Sequence, residues 1–287
     1  MEVLKTVAEM QAWSDAKRRE GLRIGFVPTM GALHEGHLTL VDIAYEHADV
    51  VVASIFVNPT QFSPTEDLER YPRDPEGDAA KLRSRGVDAI FLPDRDEMYP
   101  SGFATTVHVE GITGMLEGWT RPTHFAGVTL VVAKLFNAVR PHVAVFGRKD
   151  AQQALVIRRM TVDLDFGIEI VVAPTVREED GLAMSSRNRY LSPDERQAAT
   201  ALSRALRTGY QAYLDGERTT SALVQIMMQI VRSEPLIRTD YLAIVSMRNL
   251  DPVDKVGPGT LVAAAVYLGK TRLIDNWWVE EDGSAEF

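Results

Sequence analysis

Residues 23–37 read Arg-Ile-Gly-Phe-Val-Pro-Thr-Met-Gly-Ala-Leu-His-Glu-Gly-His. Ile24 to Val27 is a short apolar run of the kind that forms a buried strand, and a turn carrying Gly31 and Gly36 follows. The spacing predicts an amphipathic helix opening near His37, with Leu38, Leu40, Val41 and Ala44 on its packed face. A strand that delivers backbone N–H groups to a helix N-terminus makes an anion site. About half a positive charge collects there, and glycines let a phosphate approach the main chain. His34 and His37, three residues apart, can both lean toward such a ligand. The stretch reads as a nucleotide-phosphate site; taken alone, it reads equally well as an ordinary strand, turn and helix with two surface histidines.

Spacing excludes two familiar motifs. Gly31-x-x-x-x-Gly36 begins like a P-loop, but His37-Leu38 stands where Lys and Ser/Thr are required. His34-Glu35-Gly36-His37 sets its histidines three apart, so it is not the helical His-Glu-x-x-His zinc pair.

Outward from this stretch, strands alternate with helices. A lead-in helix is expected over 4–20. Asp49 to Val57 is a continuous apolar run, as in strands covered on both faces. A polar, proline-rich loop spans Asn58 to Pro75, then come a helix over 76–85 and a strand from Asp88 to Leu92. Residues 93–125 look irregular, apart from an expected strand near Thr105 to Val109. Val128–Val139 reads as an apolar helix, His142–Phe146 as a strand, Gln152–Asp163 as a helix and Ile168–Ala173 as a strand. This alternation predicts a doubly wound, Rossmann-like α/β domain with a parallel sheet over residues 1–176. Ligands of such sheets bind beyond the carboxyl ends of the strands. Pro28-Thr29-Met30, Asn58 to Gln61, Gly147 to Asp150 and Thr175-Val176 all follow strands, so all are expected at one rim.

The pattern then changes. Ser192-Pro193-Asp194-Glu195 opens a long helix with proline in its first turn and acids at its positive end. A second helix over 219–233 precedes strands near Tyr241–Ser246, Leu261–Leu268 and Arg272–Trp278. Residues 177–287 are thus expected to form a smaller α+β domain, with Trp277-Trp278 used for packing or an interface rather than a ligand.

Composition narrows the function. The 287 residues can bury a substantial core, and 45% hydrophobic with 25% charged residues is usual for a soluble globular protein. A formal net charge of −9 disfavours nonspecific nucleic-acid binding. With no cysteine, disulfides, thiolate metal ligands and cysteine nucleophiles are all excluded. Neither a signal-peptide core nor a bilayer-length apolar run is present, so the expected setting is cytoplasmic, with no membrane partner.

The segment Asp180-Gly-Leu-Ala-Met-Ser-Ser-Arg-Asn188 puts backbone N–H groups, two serine hydroxyls and a guanidinium on a glycine-flanked loop, a set suited to a triphosphate. Paired with Met-Gly-Ala-Leu-His-Glu-Gly-His, it resembles the two signatures of the nucleotidylyltransferase superfamily. Within that group the ordered blocks Pro28–His37, Phe56–Phe62, Tyr71–Arg73, Leu116–Gly118, His124-Phe125 with Gly127-Val128, Lys149-Asp150 with Gln152-Gln153, and Asp180–Asn188 are similar to the pantoate–β-alanine ligase (pantothenate synthetase) family.

That resemblance implies an ATP-dependent ligase that joins pantoate to β-alanine through a pantoyl adenylate, giving pantothenate, AMP and diphosphate. It also implies a cytoplasmic, Mg²⁺-dependent homodimer. It assigns His37 (the proton donor), His34, Lys149 and Arg187 to catalysis. Met30, Gly31, Ala32, Leu33, His34, Glu35, Gly36 and His37 would border ATP, with Gly147, Arg148, Lys149, Asp150, Val176, Met184, Ser185, Ser186 and Arg187. Gln61 and Gln153 would hold pantoate or β-alanine, since an amide both donates and accepts as hydroxyls require. Asp78 and the Asn58 loop would help hold Mg²⁺ or shape the pocket, or else Asp78 is a helix-surface carboxylate. Arg148 stands where the family commonly has Glu, Ala151 replaces an aromatic, and Thr123 replaces Gly. The rivals are another nucleotidylyltransferase and a non-catalytic nucleotide sensor. An aminoacyl-tRNA synthetase is disfavoured by the acidic charge and the lack of length for an anticodon-reading domain.

Overall fold

Hydrogen bonding along the short apolar runs builds a parallel sheet in the first of two units. The structure, a computed structural model, describes residues 1–64 and 66–287. The first unit comprises Met1–Gly147 and Gln152–Ala173. Its elements in chain order are β1 (Glu2–Leu4), α1 (Val7–Arg19), β2 (Ile24–Thr29), α2 (Glu35–His47), β3 (Val50–Ile55), α3 (Pro75–Ser84), β4 (Ala89–Phe91), α4 (Arg95–Met98), α5 (Glu117–Thr120), α6 (His124–Val139), β5 (Val143–Gly147), α7 (Ala151–Asp163) and β6 (Glu169–Ala173). The strand order is β1-β4-β3-β2-β5-β6, and every pairing is parallel.

Both faces of this sheet are covered, which is why its strands are apolar throughout. Leu38, Leu40, Val41 and Ala44 of α2 pack with Val27, Val51, Ala53 and Val145. Phe136 of α6 meets Phe26 of β2 and Phe146 of β5 edge-on, at ring-centroid distances of 6.5 and 6.4 Å. Each such fully buried side chain contributes roughly 1.5–3 kcal/mol relative to exposure.

The strand order sets the location of a ligand crevice. From β2 the chain steps outward through β3 to β4, whereas β5 returns to the other side of β2 and β6 continues that way. The switch point therefore lies between β2 and β5. Gly25 is opposite Val143, and both strands run four residues beyond that pair, so their carboxyl ends at Thr29 and Gly147 finish level. Open α/β sheets bind ligands there.

Several expectations are corrected. Helix α2 begins at Glu35 rather than His37, so Gly36 lies in its first turn. The first residues of the chain form an edge strand, with Val3 opposite Ile90. No strand forms at Thr105–Val109. The Val107 carbonyl accepts the Thr129 hydroxyl at 2.6 Å and the Val109 carbonyl accepts that of Thr113, so side chains satisfy groups a ladder would otherwise use.

The second unit comprises Arg148–Ala151 and Pro174–Phe287. It contains α8 (Pro193–Leu214), α9 (Thr220–Arg232), β7 (Ile237–Ser246), β8 (Thr260–Leu268), β9 (Thr271–Val279) and β10 (Ala285–Glu286). The strands form an antiparallel sheet in the order β10-β9-β8-β7. Ser192 and Glu195 close a capping box at the start of α8, with Pro193 in its first turn. Leu202 and Leu206 of α8, Leu223 and Met227 of α9, and Val262 and Trp277 of the sheet share the core. Trp277 and Trp278 are both fully buried, in keeping with the packing role expected of them.

Candidate active site

The loop after β2 is fixed from a distance by Asp78 of α3. Its Oδ2 accepts the N–H of Ala32 at 2.7 Å and its Oδ1 accepts that of Leu33 at 2.8 Å. Lys81, one turn along the same helix, donates to the Leu33 carbonyl at 2.8 Å. Gly31 and Ala32 both adopt positive φ, 83° and 52°. Only glycine suits the first position: a Cβ on Gly31 would sit 2.9 Å from Asp78 Oδ2 and 3.1 Å from a methyl of Ile55. The buried carboxylate thus holds a backbone path that costs roughly 1–2 kcal/mol at Ala32.

His34 is the N-cap of α2 and His37 occupies its third position. The His34 N–H donates to His37 Nδ1 at 3.3 Å, and the two rings lie 4.1 Å apart between centroids. An Nδ1 that accepts a hydrogen bond carries no proton, so the neutral His37 ring bears its proton on Nε2. Nε2–H is then a donor near a helix N-terminus, a chemistry that suits a phosphate.

Gln61 is fixed by three neighbours in the same unit. Asn58 Nδ2 donates to Gln61 Oε1 at 3.0 Å, which defines the amide's orientation and turns its NH₂ toward Met30 Sδ, 3.2 Å away. Tyr99 donates to Asn58 Oδ1 at 2.8 Å. His124 Nδ1 lies 3.0 Å from the Gln61 carbonyl and its Nε2 lies 3.2 Å from Arg121 Nη1. Arg121 can only donate, so Nε2 accepts and Nδ1–H donates to Gln61. Burial, then the Arg121 charge, pushes the His124 pKa down to about 4, which keeps the ring neutral. Helix α6 closes on this turn at Gly127, where a Cβ would stand 2.3 Å from the Thr60 carbonyl oxygen. Gln152 is buried, but its amide is committed to the backbone of Glu117, Ile112 and Met115. Gln153 beside it is half-buried.

In the second unit, β9 organises the other candidates. Asn276 Nδ2 donates to the carbonyls of Arg148 and Lys149, both at 2.9 Å, and so fixes the turn Arg148–Asp150. Lys149 Nζ lies 3.9 Å from Asp150. Asp275, the preceding residue, pairs with Arg177 at 2.7 and 3.1 Å. Strand β9 also packs against the turn Ser186–Tyr190. The loop before that turn is braced at its base. Met184 N–H donates to the Val176 carbonyl at 2.9 Å, and Arg196 reaches Glu178 and Asp180 at 2.6 and 2.7 Å. Arg187 N–H donates to Ser185 Oγ at 3.3 Å. Loop and Lys149 turn therefore share one strand as their support.

The family described as pantoate-beta-alanine ligase matches residues 2–278. The chain belongs to that family. A pantothenate synthetase from Pelotomaculum thermopropionicum is 54% identical over 276 residues, covering 96% of this chain and 98% of the relative. A crystal structure of pantothenate synthetase from Thermus thermophilus has 50% identity and a TM-score of 0.91, covering 96% of this chain and 98% of that one. A pantoate-beta-alanine ligase from Francisella tularensis, described as complexed with beta-gamma ATP and beta-alanine, has 31% identity, a TM-score of 0.79 and 97% coverage of both chains. The protein is accordingly a ligase that forms pantothenate.

Within this ligase, the structure brings together His34 with His37, Gln61 with Met30, and Asp78 with Gly31, Ala32 and Leu33. In the second unit it gathers Arg148 to Asp150 and Ser185 to Arg187 along β9. Asp78 is no helix-surface carboxylate: it is 1% exposed, with both oxygens taken by main-chain donors. It does not fit a magnesium ion, which seeks free carboxylate oxygens alongside phosphate and water. Among the described residues, no group of three or more His, Asp or Glu is placed to hold a metal. The positioning roles of Tyr99, His124 and Asn276 were not readable in advance, because each depends on a partner far along the chain, and those of Asn58 and Arg121 were not because they act together with these residues. For His124 the only signal was its place in one of the ordered blocks.

Proposed function

We propose that this ligase works in two steps on one ATP. First, a pantoate carboxylate oxygen attacks the α-phosphorus; the bond from that phosphorus to the bridging oxygen of the β-phosphate breaks, and diphosphate leaves. Then the neutral amine of β-alanine attacks the carbonyl carbon of the pantoyl adenylate. The carbon–oxygen bond to AMP breaks, the amide forms and the nitrogen loses a proton.

The roles follow from chemistry at each atom. His37, with its proton on Nε2, donates to the phosphates, and His34 flanks it at the same helix end. The Gly31–Gly36 backbone, with Met30 and Glu35 at its edges, borders the nucleotide. Lys149 offsets charge on the α-phosphate and the incoming carboxylate, with Arg148, Asp150 and Gly147 around it. Arg187, Ser185 and Ser186 hold the departing diphosphate, and Met184 and Val176 give apolar cover. Such positioned donors, aimed where charge develops, supply most of the rate in reactions of this kind. Gln61, its amide oriented by Asn58, meets the pantoate hydroxyls, joined by Gln153.

One observation carries this reading: the anchored Met30–His37 loop ends its strand at the sheet's switch point, with His37 turned to donate. The Francisella tularensis relative, described as complexed with beta-gamma ATP and beta-alanine, supports ATP and β-alanine as ligands. Family resemblance alone supports magnesium, a homodimer and a cytoplasmic setting. None of the described helices is long and apolar enough to cross a membrane.

The test is order of release. Pantoate and ATP without β-alanine should release diphosphate in a stoichiometric burst, and later addition of β-alanine should yield pantothenate and AMP. Diphosphate release that requires β-alanine from the outset would contradict the two-step route.

A further inference from the structure

The last three residues of the chain touch both cation-bearing segments of the second unit. Ala285 and Glu286 form β10, with Glu286 opposite Trp278 and Ala285 opposite Val279. From there Glu286 Oε2 accepts from Arg148 Nη1 at 2.5 Å. The two ends of this pair differ sharply: the Arg148 side chain is 4% exposed and that of Glu286 58%. Arg148 therefore depends on this carboxylate for compensation of a buried charge. Among the described residues its Nη2 is buried with no hydrogen-bond partner, and its guanidinium lies 5.8 Å from the Trp278 ring centroid. Losing the carboxylate that compensates a buried cation leaves that cation with reason to move.

Phe287 reaches the other segment. Its ring centroid is 3.9 Å from the Arg177 guanidinium, 5.4 Å from that of Arg207, and 6.1 Å from the Tyr210 ring, stacked at 26°. Arg177 pairs with Asp275 and also donates to the Gly181 carbonyl at 3.2 Å, at the base of the Asp180–Asn188 loop. Tyr210 donates to the Ala285 carbonyl at 2.8 Å and ties the segment down between these two contacts. The residues matched to the family end at 278, so this segment lies beyond them.

We propose that Glu286 and Phe287 are positioning residues: through Arg148 they fix the Lys149 turn, and through Arg177 they fix the base of the Met-Ser-Ser-Arg loop. This rests on the roles given above to Lys149 and Arg187. The segment sets the spacing of the two cations that receive the triphosphate, and so acts on diphosphate release rather than on amide formation. It also accounts for arginine at 148, because β10 supplies that position with a carboxylate.

The test is single-turnover diphosphate release from ATP and pantoate, in the full chain, in Glu286→Gln, in Phe287→Ala, and in a chain lacking residues 285–287. The single variants should slow release or raise the ATP KM roughly three- to tenfold, and the deletion roughly ten- to a hundredfold, in the range a small misplacement costs. The KM for β-alanine should stay unchanged. Glu286→Asp and Phe287→Tyr should restore most of the loss, which a general loss of folding would not allow. Arg148→Met should make Glu286→Gln silent. Lys149→Ala and Arg187→Ala run alongside. If these two fall steeply while all three tail variants match the wild type, the positioning role is overturned and the site reading stands. Wild-type rates in Lys149→Ala and Arg187→Ala would overturn both.

Discussion

Asp78 accepts the main-chain N–H of Leu33 at 2.8 Å, although the two residues stand 45 positions apart. With the matching bond to Ala32, this makes a buried carboxylate the anchor of the loop that ends in His34 and His37. Asp78→Asn keeps the shape but turns an NH₂ toward one of two N–H donors. It should destabilise the fold by roughly 1–3 kcal/mol, the cost of a buried donor left without an acceptor. Thermal denaturation measures this. Adenylate formation should fall with it, because the loop loses its fixed path.

Gly31 and Ala32 give a paired test of the same loop. Gly31→Ala brings a Cβ within 2.9 Å of Asp78 Oδ2 at a φ of 83°, and should destabilise by more than about 1 kcal/mol. Ala32→Gly relaxes a φ of 52° and should be neutral or slightly stabilising. Equal denaturation midpoints for the two variants would contradict the assigned backbone path.

His124 predicts a pH effect on stability. Its pKa falls from 6.5 to about 4 in the folded protein, chiefly through burial and then through Arg121. The unfolded chain therefore takes up this proton more readily than the native state. The stability tied to the neutral ring is fully present above pH 6.5 and is lost as pH falls from there through about 4. His124→Asn, which can keep a donor near the Gln61 carbonyl, should show a shallower decline than the wild type in urea denaturation across that window. Parallel profiles for the two proteins would rule out His124 as the source.

Much of the first unit was legible because parallel strands buried on both faces announce themselves, as Val50 to Ile55 does. Helix α8 was equally plain from Ser192-Pro193 and its acids. What sequence could not show were features whose signal lies elsewhere in the chain. Strand β1 is three residues long, too short for periodicity, and forms only because β4 offers an edge. Thr105–Val109 looks like a strand from its β-branched residues, yet Thr113 and Thr129 take two of its carbonyls. Asp78 reads as an ordinary helix acid until its partners at 32 and 33 are known. The histidines and the Met-Ser-Ser-Arg loop were legible as chemistry, whereas Asn58, which orients Gln61, and Asn276, which fixes the Lys149 turn, were not.

The glycine-flanked Asp180–Asn188 loop is braced by Arg177, Arg196 and the Met184–Val176 main-chain bond, so closure over a nucleotide would have to move Ser185 to Arg187 against that base. ATP should therefore slow proteolytic cleavage within this loop severalfold. Cleavage at the same rate with and without ATP would show that the loop does not respond to the ligand.

The most direct test compares the diphosphate burst from ATP and pantoate, without β-alanine, in wild type, His37→Ala, Lys149→Ala and Arg187→Ala. Each replacement should cut the burst rate by roughly two to three orders of magnitude, as loss of a donor aimed at developing charge does, while the folded spectrum is kept. A burst at the wild-type rate in any of the three would contradict the proposal that they act together on one triphosphate.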